Sequence, residues 1–367
     1  LRAYMKEWLN QEENRKPDGS KYNLNTDGLK IYTTINYSMQ EYAEQAIAEH
    51  MPRLQNEFFT QNEMVDDSIA PFRELTTGAV DTLLRISMRR SERWRKMRYD
   101  LKKPIEEIEA SFFEPTKMTV FSWDGDIDTI MQPIDSMKYY KSFLRPGMMS
   151  MDPSNGFIKA WAGGMNYKHF QYDMVKKGKR QTGSTFKPFV YAAAIDQLHL
   201  SPCDTFPDSQ FCIDKNKFGN VEEWCPKNSG DKYGRTRTLK NALANSVNTI
   251  TARLMDKIGP RPVVKLAKNM GIEQRILPVP SIALGTPDLS VYEMVAAYST
   301  FANKGVYTKP VFIERIEDKN GTLLYEYQPE TRDVLSEEAA YVTCLLYTSP
   351  SPRDATLSRM AGWGWKK

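Results

Sequence analysis

The sequence predicts an α+β fold, with β-hairpins and helices in one chain. Residues 148–162 and 311–327 each contain two β-rich runs joined by an Asn-Gly pair, which is the pattern of a β-hairpin. Several other stretches have the apolar periodicity of helices. One of them, Pro188–Ile195, contains no charged side chain, and a helix that is apolar on every side is a buried one. We therefore expect the fold to be organised around this helix, starting near Ser184.

The first 140 residues alternate between strand and helix patterns. Leu29–Ile35 is rich in β-branched and aromatic residues and predicts a strand after a polar, lysine-rich start. Apolar spacing predicts a helix over 38–60, and a second helical region follows over 70–100. Seven cationic side chains crowd residues 85–98 of that region, and we interpret them as a solvated helix face rather than a binding patch. Met118–Trp123 predicts a short strand that ends at the Asp124–Gly125 turn.

Helix caps and turn residues define the later elements. Thr238 is predicted to cap a helix that runs to about Asn245, where Ser246-Val-Asn248 interrupts the helical pattern. Three further helices are predicted over residues 247–258, 262–270 and 289–303.

Length and composition limit the function classes. The chain has 367 residues, enough for two domains, with 41% hydrophobic and 26% charged residues, which is ordinary for a globular protein. A net charge of +4 is too small to indicate binding to nucleic acid or to an acidic membrane. No run of 18 apolar residues occurs, so no membrane-spanning segment is predicted. The three histidines and four cysteines lack metal-ligand spacing, and we expect neither a metal nor another cofactor.

The strongest chemical signal lies at the start of the buried helix. Ser184 and Lys187 are three residues apart, so they share one face of its first turn. Burial and the positive end of the helix dipole both disfavour a charged amine, and we expect the pKa of Lys187 to be low. A neutral amine within reach of a hydroxyl is a general base beside a nucleophile. A second Ser-x-x-Lys pair, Ser229 and Lys232, lies among Asn, Gly and Asp residues and predicts only a solvated loop.

Ser246-Val-Asn248 lies at the predicted helix break and, taken alone, would be interpreted as ordinary capping residues. It does not stand alone, because six other segments occur in order along the chain. They are Thr26–Thr34, Pro133–Tyr140, Asp152–Gly156, Arg180–Phe189, Ala283–Gly285 and Ala297–Ala302. One of them, Arg180–Phe189, contains Ser184 and Lys187. Together with Ser246-Val-Asn248, they resemble the transpeptidase half of the class A, bifunctional penicillin-binding proteins, within the superfamily that also includes the serine β-lactamases. The resemblance covers roughly residues 24–343.

The resemblance implies a β-lactamase/transpeptidase-like fold, in which a five-stranded antiparallel sheet has helices on both faces, beside a smaller N-terminal α/β region. We expect this sheet to be incomplete here, because the hairpin at 148–162 supplies only its first two strands. It implies that residues 1–140 form the linker region and 141–343 the penicillin-binding transpeptidase domain. Implied partners are peptidoglycan stem peptides, nascent glycan strands, β-lactams and other cell-wall synthesis proteins. The implied location is the periplasmic, extracytoplasmic side of the bacterial inner membrane, with a membrane-anchored parent protein.

The resemblance also implies a peptidoglycan D,D-transpeptidase with four site residues. Ser184 would attack the carbonyl between the two terminal D-alanines of a stem peptide and form an acyl-enzyme, while Lys187 takes its proton. Ser246 would relay a proton to the departing D-alanine. Asn248 would hydrogen-bond the substrate backbone and help to fix Lys187. β-Lactams, which imitate the D-Ala-D-Ala amide, would acylate the same serine.

The sequence departs from the family pattern at both ends. It contains neither the glycan-polymerising domain and membrane anchor nor the Lys-Thr/Ser-Gly motif of the family. The segment Cys344–Asp354 resembles the translation of a sequencing-library adapter, so we interpret residues 344–367 as an artefact of a truncated reading frame rather than a natural Pro/Ser-rich tail. The hypothesis predicts that the 367-residue chain by itself folds poorly and is not labelled by penicillin.

The implied extracytoplasmic location is one where disulfides persist. Cys212 and Cys225 lie in one loop, and Gly219–Asn220 could turn the chain so that they approach. We predict a disulfide between them, with Cys203 as the alternative partner.

Two other function classes stay open at this point. A serine β-lactamase-type hydrolase shares the serine motifs, but it would be smaller and would need a deacylating water. Residues 24–140 and the Arg180-Gln start argue against it. A non-catalytic cell-wall scaffold or partner-binding module would be favoured by the absent third motif if the C-terminus were natural. The sequence of the parent gene past codon 343 would discriminate between an enzyme and such a module.

Overall fold

The computed structural model describes residues 2–63, 72 and 75–347 of the chain. Twelve α-helices lie in these residues: α1 (Arg2–Trp8), α2 (Tyr37–Glu63), α3 (Thr77–Arg90), α4 (Glu92–Arg95), α5 (Ile105–Ala110), α6 (Pro133–Lys141), α7 (Lys187–Leu198), α8 (Leu239–Ala244), α9 (Asn248–Ile258), α10 (Pro260–Asn269), α11 (Val291–Ala302) and α12 (Glu337–Tyr347). The same residues form thirteen strands: β1 (Lys30–Thr33), β2 (Thr116–Val120), β3 (Ile127–Met131), β4 (Met148–Met151), β5 (Ile158–Ala162), β6 (Lys179–Gln181), β7 (Thr205–Pro207), β8 (Thr236–Thr238), β9 (Asp288–Ser290), β10 (Val306–Thr308), β11 (Ile313–Glu317), β12 (Leu323–Glu326) and β13 (Thr331–Asp333).

The strands form small sheets. β1, β11 and β12 make a three-stranded antiparallel sheet in that order, with Ile31 opposite Ile316 and Ile316 opposite Tyr325. The other sheets are pairs, β2–β3, β4–β5, β6–β9, β7–β8 and β10–β13. Helices and antiparallel strands are thus mixed as predicted, and the α+β class is confirmed.

The chain divides into two compact units. The first is drawn from Leu1–Gln40, Met148–Trp161 and Met174–Lys367, and the second from Glu41–Gly147 and Ala162–Asp173. The domain boundaries inferred from the sequence stay a prediction.

The second unit has its own apolar cores. Leu84 and Met88 on α3 meet Ile108 and Phe112, and all four side chains are buried. The predicted cationic helical region corresponds to α3, α4 and a π-helical turn over Lys96–Asp100, and its residues 70, 71, 73 and 74 lie outside the described part of the chain. Most of its cationic side chains are exposed, as a solvated face requires.

The first unit is packed around α7. Every residue from Lys187 to Ile195 is buried. After Lys187 this stretch offers apolar surface on all sides, which explains its burial. Helices α8 to α12 contribute the surrounding apolar side chains, including Leu254, Val263 and Phe301. The sequence pattern therefore identified the central helix, although a 3-10 turn over Gly183–Phe186 precedes it and moves its α-helical start from Ser184 to Lys187.

One local expectation differs from the structure in detail. The Asn155-Gly156 pair does not form a two-residue turn, because the Asp152 N–H donates to the Phe157 carbonyl at 2.9 Å and the loop spans four residues. The Asp152 carboxylate accepts from the Ser154 N–H and hydroxyl, which stabilises the wider turn. At the other end, α12 continues through Cys344 to Tyr347, and Leu346 is buried in the core. The interpretation of residues 344–367 as an artefact stays a prediction, and residues 348–367 lie outside the described part of the chain.

A capping box fixes the start of α11. The Ser290 hydroxyl accepts from the Glu293 N–H, and the Glu293 carboxylate accepts from the Ser290 N–H and hydroxyl and from the Gln274 N–H. Burial alone would raise the pKa of Glu293, but hydrogen bonds from Ser290 and Gln274 outweigh it and hold this pKa below its ordinary value. The carboxylate thus ties α11 to the loop after α10.

We expect Glu293→Gln to lower the free energy of unfolding at pH 7 by about 1–3 kcal/mol, because a single amide oxygen cannot satisfy three buried donors. The folded-state pKa is depressed, so the carboxylate's contribution is full above the unfolded pKa of about 4.3 and is lost as the pH falls through the folded value. Denaturant unfolding at pH 7 and pH 3 should show the gap to wild type closing at the lower pH. Glu273→Gln, on an exposed neighbour, is the control. An equal gap at both pH values would contradict the prediction.

Candidate active site

The backbone before Ser184 is hydrogen-bonded to the loop that contains Gly285 and Pro287. Gly183 N–H donates to the Gly285 carbonyl at 2.9 Å, and Thr182 N–H donates to the Pro287 carbonyl at 3.1 Å. Gly285 has a φ of +75°, and a Cβ at this position would overlap the Gly183 carbonyl. Only glycine therefore allows the two backbones to approach this closely. The close approach fixes where the following residue, Ser184, emerges.

Ser184 and Lys187 lie on consecutive turns of one helical segment. Ser184 is in the 3-10 turn and is exposed, whereas Lys187 is the first residue of α7 and is completely buried. Tyr298 on α11 donates its hydroxyl to the Thr185 carbonyl at 2.6 Å and holds the turn between them. The nucleophile candidate thus faces solvent while its candidate base is withdrawn into the protein.

The Lys187 amine donates to three oxygen atoms. They are the Ser246 carbonyl at 2.6 Å, the Ser246 Oγ at 3.0 Å and the Asn248 Oδ1 at 2.6 Å. Burial lowers the pKa of Lys187 to about 8. The amine is therefore far easier to deprotonate near neutral pH than an ordinary lysine.

Ser246 completes the connection to Ser184. Its Oγ lies 3.0 Å from the Ser184 Oγ, so it bridges Lys187 and Ser184, which make no direct hydrogen bond with each other. Ser246 has a φ of +54°, in the left-handed region that non-glycine residues rarely adopt. This conformation follows the end of α8 and turns both the carbonyl and the hydroxyl of Ser246 toward Lys187.

Asn248 begins α9 and is held from outside by the preceding loop. Its Nδ2 donates to the Lys227 carbonyl at 2.7 Å, and its N–H donates to the Asn228 Oδ1 at 3.0 Å. The structure thus brings all four predicted residues, Ser184, Lys187, Ser246 and Asn248, into one hydrogen-bonded group. It also adds Lys227 and Asn228, which the sequence did not single out.

The loop that supplies Asn228 is anchored on a buried carboxylate. Asp208 is fully buried and accepts from Asn228 Nδ2, Thr249 Oγ1, Gly234 N–H and Arg237 Nε. Burial alone would raise its pKa, but these hydrogen bonds outweigh it and keep the pKa of Asp208 below its ordinary value. In the sequence Asp208 is one acidic residue in a Pro-, Asp- and Cys-rich loop, and no local pattern identifies it.

The same loop contains the predicted disulfide. Cys212 and Cys225 are bonded, with their Cα atoms 4.2 Å apart, and Cys203 is an exposed free thiol. Ile213 and Trp224 exchange two backbone hydrogen bonds of 2.9 Å directly beside the disulfide. The predicted pairing is therefore confirmed.

The second Ser-x-x-Lys pair has no comparable arrangement. Ser229 and Lys232 are both exposed, and Ser229 begins a short 3-10 turn rather than a buried helix.

An open, largely apolar groove of about 670 Å³ lies next to Thr182 and Thr185, which are close to Ser184 in the chain. Its walls include Met294 and Tyr298 of α11, and its volume is in the range of pockets that hold small ligands.

Comparison with family models gives two adjacent matches. Residues 67–144 match the "Penicillin-binding protein middle domain", and residues 147–366 match the "Penicillin binding protein transpeptidase domain". Among the described residues, no helix is both long enough and apolar enough to cross a bilayer.

Curated relatives and a solved structure agree with these matches. The chain is 30% identical over 317 residues to penicillin-binding protein 1A of Aquifex aeolicus, covering 84% of this chain and 41% of the relative. It is 35% identical over 210 residues to penicillin-binding protein 2D of Bacillus subtilis, covering 56% of this chain and 30% of the relative. The crystal structure of penicillin-binding protein 1A from Haemophilus influenzae is similar in fold, with a TM-score of 0.59 and 20% identity over 93% of this chain and 56% of that one. The chain thus spans less than half the length of these two curated relatives.

We expect Gly285→Ala to destabilise the protein and to displace Ser184. The added methyl meets the Gly183 backbone, and overpacking of this kind costs about 1–3 kcal/mol on top of the cost of a positive φ. Gly321→Ala is the matched control, since Gly321 has a φ of +89° with open space around its α-carbon. Denaturant unfolding should show a clearly larger loss for Gly285→Ala than for Gly321→Ala. Equal losses would mean that the close approach of Gly183 and Gly285 imposes no constraint.

Proposed function

The chain belongs to the penicillin-binding protein family with a transpeptidase domain, and we propose that it acts as a peptidoglycan D,D-transpeptidase whose Ser184 forms the acyl-enzyme. The observation that carries this proposal is the unbroken chain of hydrogen bonds from Ser184 through Ser246 to the buried amine of Lys187. A nucleophile needs a base of matched pKa within reach, and this chain supplies one.

Activation of Ser184 proceeds through Ser246 in this arrangement. When Lys187 is charged, its ammonium donates to the Ser246 Oγ, and Ser246 donates to the Ser184 Oγ. When Lys187 is neutral, the direction reverses: Ser184 donates to Ser246, and Ser246 donates to the amine. As the Ser184 Oγ attacks the carbonyl carbon between two D-alanines, its proton moves to Ser246, and the proton of Ser246 moves to Lys187.

Collapse of the tetrahedral intermediate uses the same protons in the opposite direction. The C–N bond breaks, the nitrogen of the terminal D-alanine receives a proton from Ser246, and Lys187 reprotonates Ser246. The remaining acyl group forms an ester with Ser184. The Ser184 N–H, near the start of a helical turn where N–H groups lack intrahelical partners, is the oxyanion donor that we assign to this step. An amine of a second stem peptide then attacks the ester, which forms the cross-link and regenerates Ser184.

Penicillin and other β-lactams are proposed as ligands of the same serine, because their strained amide presents a carbonyl that the Ser184 Oγ can attack. The Cys212–Cys225 disulfide supports an extracytoplasmic location, since structural disulfides persist mainly outside the cytoplasm. Membrane anchoring of the parent protein and partners in cell-wall synthesis remain part of this proposal.

The observations support the two alternative functions, a non-catalytic scaffold and a β-lactamase-type hydrolase, less well. A non-catalytic scaffold would not require a buried lysine whose amine is hydrogen-bonded through Ser246 to Ser184. Burying a charged amine costs free energy, and a scaffold would gain no function from it. The family matches and curated relatives are penicillin-binding proteins, which does not favour a β-lactamase-type hydrolase.

We expect Ser184→Ala to abolish covalent labelling of the complete gene product by a fluorescent penicillin, because no other hydroxyl occupies its place. Ser184 is exposed, so removing its hydroxyl should leave the unfolding transition unchanged. Ser229→Ala, in the exposed second Ser-x-x-Lys pair, is the control and should label like wild type. Labelling that survives in Ser184→Ala but not in Ser229→Ala would refute the assignment.

The acylation rate should rise with pH and level off near pH 8, because only neutral Lys187 can accept a proton and burial lowers its pKa to about 8. Well below that pH, the rate should change about tenfold per pH unit, as for a single essential base. Lys187→Ala should remove this dependence and slow acylation by about 100-fold or more. Lys232→Ala, on an exposed lysine, is the control and should retain the wild-type profile. A flat wild-type profile between pH 6 and 8 would exclude Lys187 as the base.

A further inference from the structure

The N-terminus of α9 has no cap of its own. Val247 occupies the N-cap position and offers no side-chain acceptor. The acceptor comes instead from the loop before β8, where Asn228 Oδ1 lies 3.0 Å from the Asn248 N–H and 3.2 Å from the Thr249 N–H. Because Asn248 is both the first residue of α9 and a ligand of the Lys187 amine, this cap also sets the position of the site.

Asp208 determines which way the Asn228 amide faces. An asparagine amide has an acceptor and a donor end of nearly equal shape, so its neighbours must select the orientation. The Asp208 carboxylate, an acceptor only, takes a hydrogen bond from Asn228 Nδ2 at 2.7 Å, and the Lys232 carbonyl takes a second at 3.0 Å. With the donor end thus fixed, Oδ1 must point at α9.

Asp208 itself has little freedom. Arg237 Nε donates to it at 2.7 Å, and the Gly234 N–H donates at 3.0 Å. Thr249 Oγ1, in the first turn of α9, donates at 3.0 Å. The carboxylate therefore joins α9 directly to the loop that caps it.

The residue next to Asn228 orients the Asn248 side chain. The Lys227 carbonyl accepts from Asn248 Nδ2 at 2.7 Å, which leaves Asn248 Oδ1 directed at the Lys187 amine, 2.6 Å away. The Lys227–Asn228 segment thus holds both the backbone and the side chain of Asn248. Hydrogen bonds therefore lead without a gap from Asp208 to Asn228, from Asn228 to Asn248, and from Asn248 to Lys187.

We propose that Asp208 and Asn228 are positioning residues of the active site, which orient Asn248 so that its side-chain oxygen binds the Lys187 amine. The proposal rests on the proposed function of Lys187 as the base. Asp208 and Asn228 touch neither the substrate nor the reacting atoms; they act through Asn248. Loss of either one removes an acceptor from Lys187 and disturbs the bridge to Ser184.

The direction of the effect on Lys187 distinguishes positioning from general stabilisation. Asn248 Oδ1 accepts a hydrogen bond from the ammonium form and so favours it. When Asn248 turns away, this support is lost while the burial of Lys187 persists. The pKa of Lys187 should then fall below its wild-type value.

The test compares the wild-type complete gene product with Asn228→Ala and Asp208→Asn. NMR titration of the lysine side chains, with the Lys187 signal identified by its loss in Lys187→Ala, measures the pKa without any catalytic step. Both variants should show a lower Lys187 pKa. The rate constant for acylation by a fluorescent penicillin, measured at its high-pH plateau, should fall about 10- to 100-fold because the bridge to Ser184 is misaligned.

Matched controls are Asp214→Asn, an exposed aspartate in the same loop, and Ser229→Ala, the exposed residue next to Asn228. Both variants should keep the wild-type Lys187 pKa and acylation rate.

An exchange of the side chains at positions 208 and 228 provides a second set of variants. Asn228→Asp alone places two carboxylates in contact, whereas adding Asp208→Asn restores a donor facing an acceptor. The double variant should recover at least part of the acylation rate lost in Asn228→Asp.

An unchanged or higher Lys187 pKa in folded Asn228→Ala and Asp208→Asn would overturn the positioning proposal, even if labelling declines through loss of folded protein. Failure of the exchange variant to recover the acylation rate would also contradict it. Absence of Ser184-dependent labelling in the wild type would instead refute the proposed function, and the NMR titration would still decide whether Asp208 and Asn228 control Lys187.

Discussion

The rest of the site depends on the burial of one amine. Lys187 is the first residue of the buried stretch that continues, uncharged, to Ile195 in α7, so its charged form loses nearly all contact with water. Two responses are visible: burial lowers its pKa to about 8, and three oxygen atoms surround its nitrogen. Because two of these atoms belong to Ser246 and one to Asn248, the break between α8 and α9 must lie against α7.

The sequence predicted this part of the protein well because the signals are local. A run of eight uncharged residues indicates burial, and a lysine at its edge indicates a perturbed amine. The break at Ser246-Val-Asn248 is visible as an interruption of helical periodicity: α8 ends before it, at Ala244, and α9 begins at its last residue, Asn248. The resemblance to a known family supplied what spacing could not, namely the expectation that the two segments meet, and the structure places them in hydrogen-bond contact. The Cys212–Cys225 pairing was likewise predicted from one short loop and an oxidising location.

Asp208 and Asn228 were missed because their importance depends on distance in space rather than on any sequence pattern. Asn228 stands beside the Ser229–Lys232 pair in a stretch of turn-forming residues, and its neighbours are exposed. Its partners are 20 residues away on each side, at Asp208 and at Asn248. The hairpin at 148–162 shows the same limit on a smaller scale: the strands were predicted, but the Asp152 carboxylate, not the Asn-Gly pair alone, determines the turn. A side-chain oxygen that accepts a hydrogen bond in place of a backbone carbonyl does not change the apolar periodicity of the sequence.

Ser246 shows how the fold sustains a strained residue at the site. A left-handed conformation of a non-glycine residue costs about 1–3 kcal/mol and persists only where its surroundings over-determine it. On one side, Ser246 N–H donates to the Leu243 carbonyl and Val247 N–H to the Ala242 carbonyl, which closes the end of α8. On the other, Lys187 binds both the carbonyl and the hydroxyl of Ser246. Glycine would adopt the backbone without strain but would lack the hydroxyl that bridges to Ser184. At this strained position serine contributes the hydroxyl that bridges Lys187 and Ser184.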